Sequence, residues 1–87
     1  MPTVFIPTQF RELTSGVVEV ELPASNMRQV VAALEARFPG LGDRICVGEA
    51  IAPGLAVWID GSISSRGLLA TVRDDSQIHL LPAFGGG

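Results

Sequence analysis

The sequence contains no lysine. Its six basic side chains, Arg11, Arg28, Arg37, Arg44, Arg66 and Arg73, stand singly among 87 residues and face nine Asp and Glu, leaving a net charge of −3. Duplex nucleic acid is held by clustered cations, and none cluster here, so nucleic-acid binding is set aside. Without lysine, an N-terminal amine is the one amine to which the chain could be acyl-linked on itself. Cysteine is nearly as scarce. Cys46 alone makes no intramolecular disulfide, which fits a reducing compartment, and it reads as a small apolar side chain in or near the core. No apolar run approaches the roughly 18 residues that cross a bilayer. The opening MPTVFIPT lacks the basic flank of a signal peptide. A cytoplasmic protein with no membrane contact is expected.

Catalytic side chains are equally sparse. One histidine and one cysteine exclude a zinc site on ligand count. His79 lies between Ile78 and Leu80, which by alternation face the core, so its imidazole is expected to point to solvent. A lone histidine on a strand near the end of the chain argues against a Ser-His-carboxylate triad. The only glycine run is Gly85-Gly86-Gly87, with no helix after it to present an N-terminus to phosphate. Asp74 and Asp75 read as a solvated turn. The expectation is a protein that is not an enzyme and holds no metal or bound cofactor.

What is present is a well-punctuated α+β pattern. Val4-Phe5-Ile6 and Val17 to Leu22 are β-rich runs closed by Pro7 and Pro23, and the turn residues Leu13 to Gly16 join them as a hairpin. Asn26 is a good N-cap with Gln29 placed to complete a capping box. Met27, Val30, Val31, Leu34 and Phe38 then recur at helical spacing, and Pro39-Gly40 stops the helix at Phe38. Leu41 to Leu55 reads as a crossing segment with one short helical turn near Asp43 to Val47. Ala56 to Ile59 is a third strand running into the hairpin-type turn Asp60-Gly61. A further helical turn is placed at Leu68 and Leu69, a tight turn at Asp74 to Ser76, and a last strand at Gln77 to Leu81, stopped by Pro82. One helix packed across one small mixed sheet is expected: a single domain over residues 1–82, with residues 83–87 a flexible tail.

With side-chain chemistry eliminated, the terminal carboxyl group of Gly87 is the remaining candidate. A carboxylate is a poor electrophile, and it becomes an acyl donor only after another protein converts it, with ATP, into an acyl-adenylate. The tail must then thread a narrow channel, and glycine allows close backbone approach and any φ. Pro82 to Gly87 reach roughly 20 Å at about 3.3–3.6 Å per residue, which suits delivery into a partner's active site.

Three stretches resemble the ubiquitin-like sulfur carriers of the ThiS/MoaD family. Asn26 to Pro39 is similar to that family's capped helix ending in R-F-P, and Val57-Trp58-Ile59-Asp60-Gly61 to its V-x-V-N-G strand and turn. Ile78-His79-Leu80-Leu81-Pro82-Ala83-Phe84-Gly85-Gly86-Gly87 is similar to its V-x-I-L-P-A-V-A-G-G ending. The resemblance implies a β-grasp fold. It implies that a ubiquitin-activating-like adenylyltransferase and sulfurtransferase adenylates Gly87, and that sulfur transfer leaves a thiocarboxylate there. Gly85, Gly86 and Gly87 would thread the partner's active site, and Leu81 and Phe84 would be apolar contacts to it. Phe5 to Arg11 and Arg66 to Thr71 are most similar to the CysO type, which serves a cysteine synthase, with a metalloprotease releasing the product. Leu41 to Leu55 is shorter than in that type, and Asp74-Asp75-Ser76 stands where D-G-D is common. Molybdopterin or thiamine biosynthesis, or ubiquitin-like attachment to other proteins, stay open as alternatives.

Overall fold

A computed structural model describes residues 1–82. Strand β1 (Thr3–Phe5) pairs antiparallel with β2 (Glu19–Glu21), as the hairpin pattern predicts. The chain reverses between them through a short 3₁₀ turn at Thr8–Phe10 and through Ser15 and Gly16, both at positive φ. Helix α1 (Met27–Arg37) follows, with Phe38 as its C-cap rather than its last helical residue.

The start of α1 departs from the expected capping box in one respect. The Asn26 side chain accepts from the Gln29 backbone N–H at 2.9 Å, as predicted. The Gln29 side chain instead reaches Ser25, accepting from its N–H at 2.7 Å and its hydroxyl at 2.9 Å. Ser25 offers two donors in one place, and the box closes one residue earlier.

The segment after the helix is more structured than a plain crossing. Helix α2 (Leu41–Ile45) is followed by strands β3 (Cys46–Val47) and β4 (Ala50–Ile51), which form a separate two-stranded hairpin. Glu35 secures the entry to α2, because its carboxylate accepts from the N–H groups of Gly40 at 3.0 Å and Gly42 at 2.8 Å. Both donors would otherwise be orphans of a helix start. A Cβ at position 42 would stand 2.8 Å from that same carboxylate, so any side chain there would push Glu35 away from the N–H groups it accepts from.

Strand β5 (Leu55–Ile59) turns into β6 (Ser62–Ile63) through Asp60 and Gly61, at φ 52° and 86°. Two central residues at positive φ are the hairpin turn that an Asp-Gly pair favours. A 3₁₀ turn at Gly67–Leu69 leads to β7 (Gln77–Pro82). The sheet order is β2-β1-β7-β5-β6, with β1 and β7 parallel and the other pairs antiparallel. This is the mixed sheet with one main helix expected of a β-grasp.

The core lies between sheet and helix. Met27, Val30 and Leu34 of α1 form one buried cluster with Val4, Val20, Val57, Ile78 and Leu80 of the sheet. Val31 and Phe38, also on the predicted stripe, pack partly buried at its margin. Burying one such aliphatic side chain is worth about 1.5–3 kcal/mol, so this layer is what makes β7 a rigid support.

Asp60 ties two turns together. Its carboxylate accepts from the Gln77 N–H and the Ser76 hydroxyl, each at 2.9 Å, with the Arg73 guanidinium 3.6 Å away. The hydrogen bond from Gln77, then that from Ser76, hold its carboxyl below the ordinary aspartate range, and Arg73 adds a smaller attraction. A carboxyl depressed in the folded state stabilises it fully above the unfolded-state pKa, and that contribution is lost as pH falls through the folded value. Asp60→Asn keeps a residue that tolerates positive φ. It is expected to lower the thermal midpoint at neutral pH and to flatten its fall through the carboxylate range, checked by thermal melts against pH.

Candidate functional site

β7 is the middle strand, and the two ladders on its flanks differ in length. β1 covers it only from Gln77 to His79, whereas β5 runs alongside to the end, pairing Val57 with Leu80, Ala56 with Leu81 and Leu55 with Pro82. The last three residues of β7 are therefore paired by a strand on one side only. Buried Leu80, 1% exposed, anchors this segment, and Leu81 beside it is 41% exposed on the opposite face.

That opposite face carries a cross-strand row. Glu19, Phe5, His79, Trp58 and Ile63 stand in register across all five strands, since Phe5 pairs with both Glu19 and His79, and Trp58 with both His79 and Ile63. Directly opposed side chains on one face lie about 4.5–5.5 Å apart at Cβ, close enough for rings to meet. Phe5 and His79 do so, with ring centroids 4.3 Å apart and planes within 3° of parallel. His79 does face away from the core, as alternation predicts, but it is half-buried against Phe5 rather than freely solvated. Leu81 and Ala56 form the next rung of this face, toward the end of β7.

From the sequence, Phe5, Trp58 and His79 are named separately, but their meeting in one row is not. Phe5 and His79 are 74 positions apart, and only the parallel pairing of β1 with β7 brings them together. A period-2 pattern gives the face of each residue and nothing about its neighbour on another strand.

The other expected positions fall as follows. Leu81 lies on the open face at the root of the tail. Phe84, Gly85, Gly86 and Gly87 lie outside the described residues. Cys46 is half-buried and packs against the core cluster; burial pushes its thiol up, Arg28 draws it partly back, and Glu49 adds to the rise. A thiol held protonated is a weak nucleophile, which suits the structural role expected of it. Asp74 and Asp75 are exposed, as a solvated turn requires. Among the described residues, no group of three or more His, Cys, Asp or Glu is placed to hold a metal ion. None of the described helices is long and apolar enough to cross a membrane.

The site is thus a partly apolar sheet face at the end of β7. Such a face can dock and present. The sequence matches the model of the ThiS family over residues 4–87. A curated relative, the sulfur carrier protein CysO of Mycobacterium tuberculosis, is 30% identical over 92 residues, covering 98% of this chain and 97% of its own. Among solved structures, the crystal structure of an Amycolatopsis orientalis BexX/CysO complex is similar at a TM-score of 0.91, with 30% identity and 100% of both chains covered. The crystal structure of M. tuberculosis CysO is similar at a TM-score of 0.87, with 25% identity, covering 95% of this chain and 99% of that one.

Proposed function

The chain belongs to the ThiS family, and from that premise we propose that it is a sulfur carrier whose working group is the carboxylate of Gly87. The observation that carries this reading is that the family match runs through to Gly87 itself, over a domain whose central strand ends in an open, docking-type face.

The chemistry belongs to two partners. In an activating adenylyltransferase, a Gly87 carboxylate oxygen attacks the α-phosphorus of ATP and pyrophosphate leaves, giving an acyl-adenylate. Sulfide, delivered by that enzyme or a sulfurtransferase, then attacks the acyl carbon. The C–S bond forms, the C–O bond to phosphate breaks, AMP leaves, and a thiocarboxylate remains. Its sulfur is the nucleophile offered to an acceptor enzyme, here a cysteine synthase acting on an activated serine, as the similarity to CysO supports.

The carrier contributes position. Core packing under β7 and its ladder with β5 fix where the tail begins, Leu81 and Phe84 supply apolar contact, and Gly85, Gly86 and Gly87 thread the partner's channel. That the Amycolatopsis relative was solved in a complex with BexX supports docking as the mode of action. The test is pyrophosphate–ATP exchange by the host's activating enzyme. Exchange that depends on the full-length chain is expected, and exchange that is unaffected by adding the chain would remove the reading.

A further inference from the structure

We infer that the edge of β5 at Leu55, Ala56 and Val57 is a docking site for one extended, uncharged peptide segment of a partner protein, which joins the sheet there as a short added strand. Nothing in this site uses Gly87, so it stands or falls separately from the carrier reading.

The register of β5 locates the open edge. Ala56, Trp58 and Asp60 turn their peptide groups toward β7, as the bond from the Asp60 N–H to the Gln77 carbonyl at 2.9 Å fixes. Leu55, Val57 and Ile59 therefore turn theirs toward the β6 side. There Ile59 pairs with Ser62, the Val57 carbonyl accepts from the Ser64 N–H at 2.8 Å, and the ladder stops. The Leu55 N–H is taken by the Ala52 carbonyl at 3.2 Å. That leaves the Leu55 carbonyl and the Val57 N–H, which have no backbone partner among the described residues. An acceptor and a donor on either side of Ala56 are what one residue of an added parallel strand satisfies. Its N–H donates to Leu55, and its C=O accepts from Val57.

The surroundings select the occupant. The edge opens into a groove of about 290 Å³ walled by Ile51, Leu55, Ala56, Val57 and Ile63, and none of the described residues lining it is charged. A carboxylate or ammonium entering it would lose water and find no counter-charge, so the segment is uncharged. Ala56 is small and faces outward with Leu81, and Ile63, 61% exposed, stands on the same face opposite Trp58. The residue paired with Ala56 thus carries an aliphatic or aromatic side chain, which covers Ile63.

Width selects as well. Between the Ala52–Leu55 turn and Ser64 the open stretch is roughly 10 Å long, three residues at about 3.3 Å each. A single strand enters such a notch. The same edge of a second copy would bring its own turn and its own Ser64 against these walls. The two outer edges of the sheet are guarded in other ways, β2 by exposed Glu19 and Glu21 and β6 by being only two residues long. Charge and shortness are common defences of an edge strand, and the Leu55–Val57 stretch carries no charge.

The test titrates isotope-labelled full-length chain with capped pentapeptides, acetyl-Thr-Val-X-Val-Thr-amide with Leu, Phe or Asp at X, and follows amide chemical shifts and hydrogen exchange. Without peptide, the Val57 amide is expected to exchange faster than the laddered amides of Trp58 and Ile59. The Leu and Phe peptides are expected to give saturable shifts at millimolar concentration, centred on Val57, and to slow its exchange. The Asp peptide, and the Leu peptide N-methylated at its central residue, should bind at least about tenfold more weakly. Ile63→Ser trims one exposed wall and should weaken the Leu peptide about threefold, with the thermal midpoint unchanged. No saturable shift with either apolar peptide would overturn the proposal. Equal binding of the N-methylated peptide would also overturn it, since the surface would then be merely apolar, and so would unaltered binding to Ile63→Ser. A Val57 amide already protected without peptide would mean that the chain fills its own edge, and shifts there that grow with protein concentration alone would mean that a second copy does. Either result overturns the proposal.

Discussion

Deleting Gly86 and Gly87 is expected to abolish sulfur loading while leaving the thermal midpoint of the domain unchanged. The deletion shortens the run beyond Pro82 from five residues to three, and the new carboxylate stops roughly 7 Å short of where the activating partner expects it. A misplacement of about 1 Å in a reacting group can already lower a rate by about 10²-fold, so loading should fall to background. The sixteen buried apolar side chains of the described domain all precede the deletion, from Val4 to Leu80. Thermal melts should therefore superimpose. A truncated chain that is still adenylated at the normal rate would contradict the role given to its end.

The second large effect is expected at Leu81. Leu81→Asp places a charge on the open sheet face at the root of the tail, where the side chain is already 41% exposed. Surface substitutions away from packing features usually change stability by no more than about 0.5 kcal/mol, so the fold should tolerate it. An apolar anchor in the centre of an interface is worth about 2 kcal/mol or more on truncation, and a desolvated carboxylate in its place is worse. A rise of at least about 30-fold in the KM of the activating enzyme for this carrier is expected, with thermal stability little changed. Leu69→Asp is the matched control. Leu69 is 69% exposed but sits on the 3₁₀ turn rather than on the row of β7, β5 and β1. Equal impairment by both substitutions would mean that general surface polarity, and not this face, governs recognition.

How much of this was legible in the sequence depended on whether the signal was local. The cap at Asn26, the stop at Pro39-Gly40 and the Asp60-Gly61 turn each follow from residues within a few positions of one another, and the structure has all three. The β3–β4 hairpin and β6 were not legible, because strands of two residues are too short to show an alternation. The Phe5–His79 stack was hidden for a different reason. It arises from parallel pairing between the two ends of the chain, and nothing near either residue encodes the register of the other. The outward direction of His79 was legible by alternation, since Ile78 and Leu80 fix which way β7 faces, whereas Leu81 was named only through the family resemblance. Elimination pointed to the Gly87 carboxylate, the sulfur chemistry came from the family resemblance, and both concern residues beyond those the structure describes.

The measurement that bears most directly on the central claim is the intact mass of the full-length chain after incubation with its activating enzyme, ATP and a sulfide source. The account predicts an increase equal to exchanging one oxygen for sulfur, located at Gly87 on fragmentation and absent when ATP is omitted. An unchanged mass while the enzyme turns over a proven carrier under the same conditions would contradict it, as would sulfur found on any other residue.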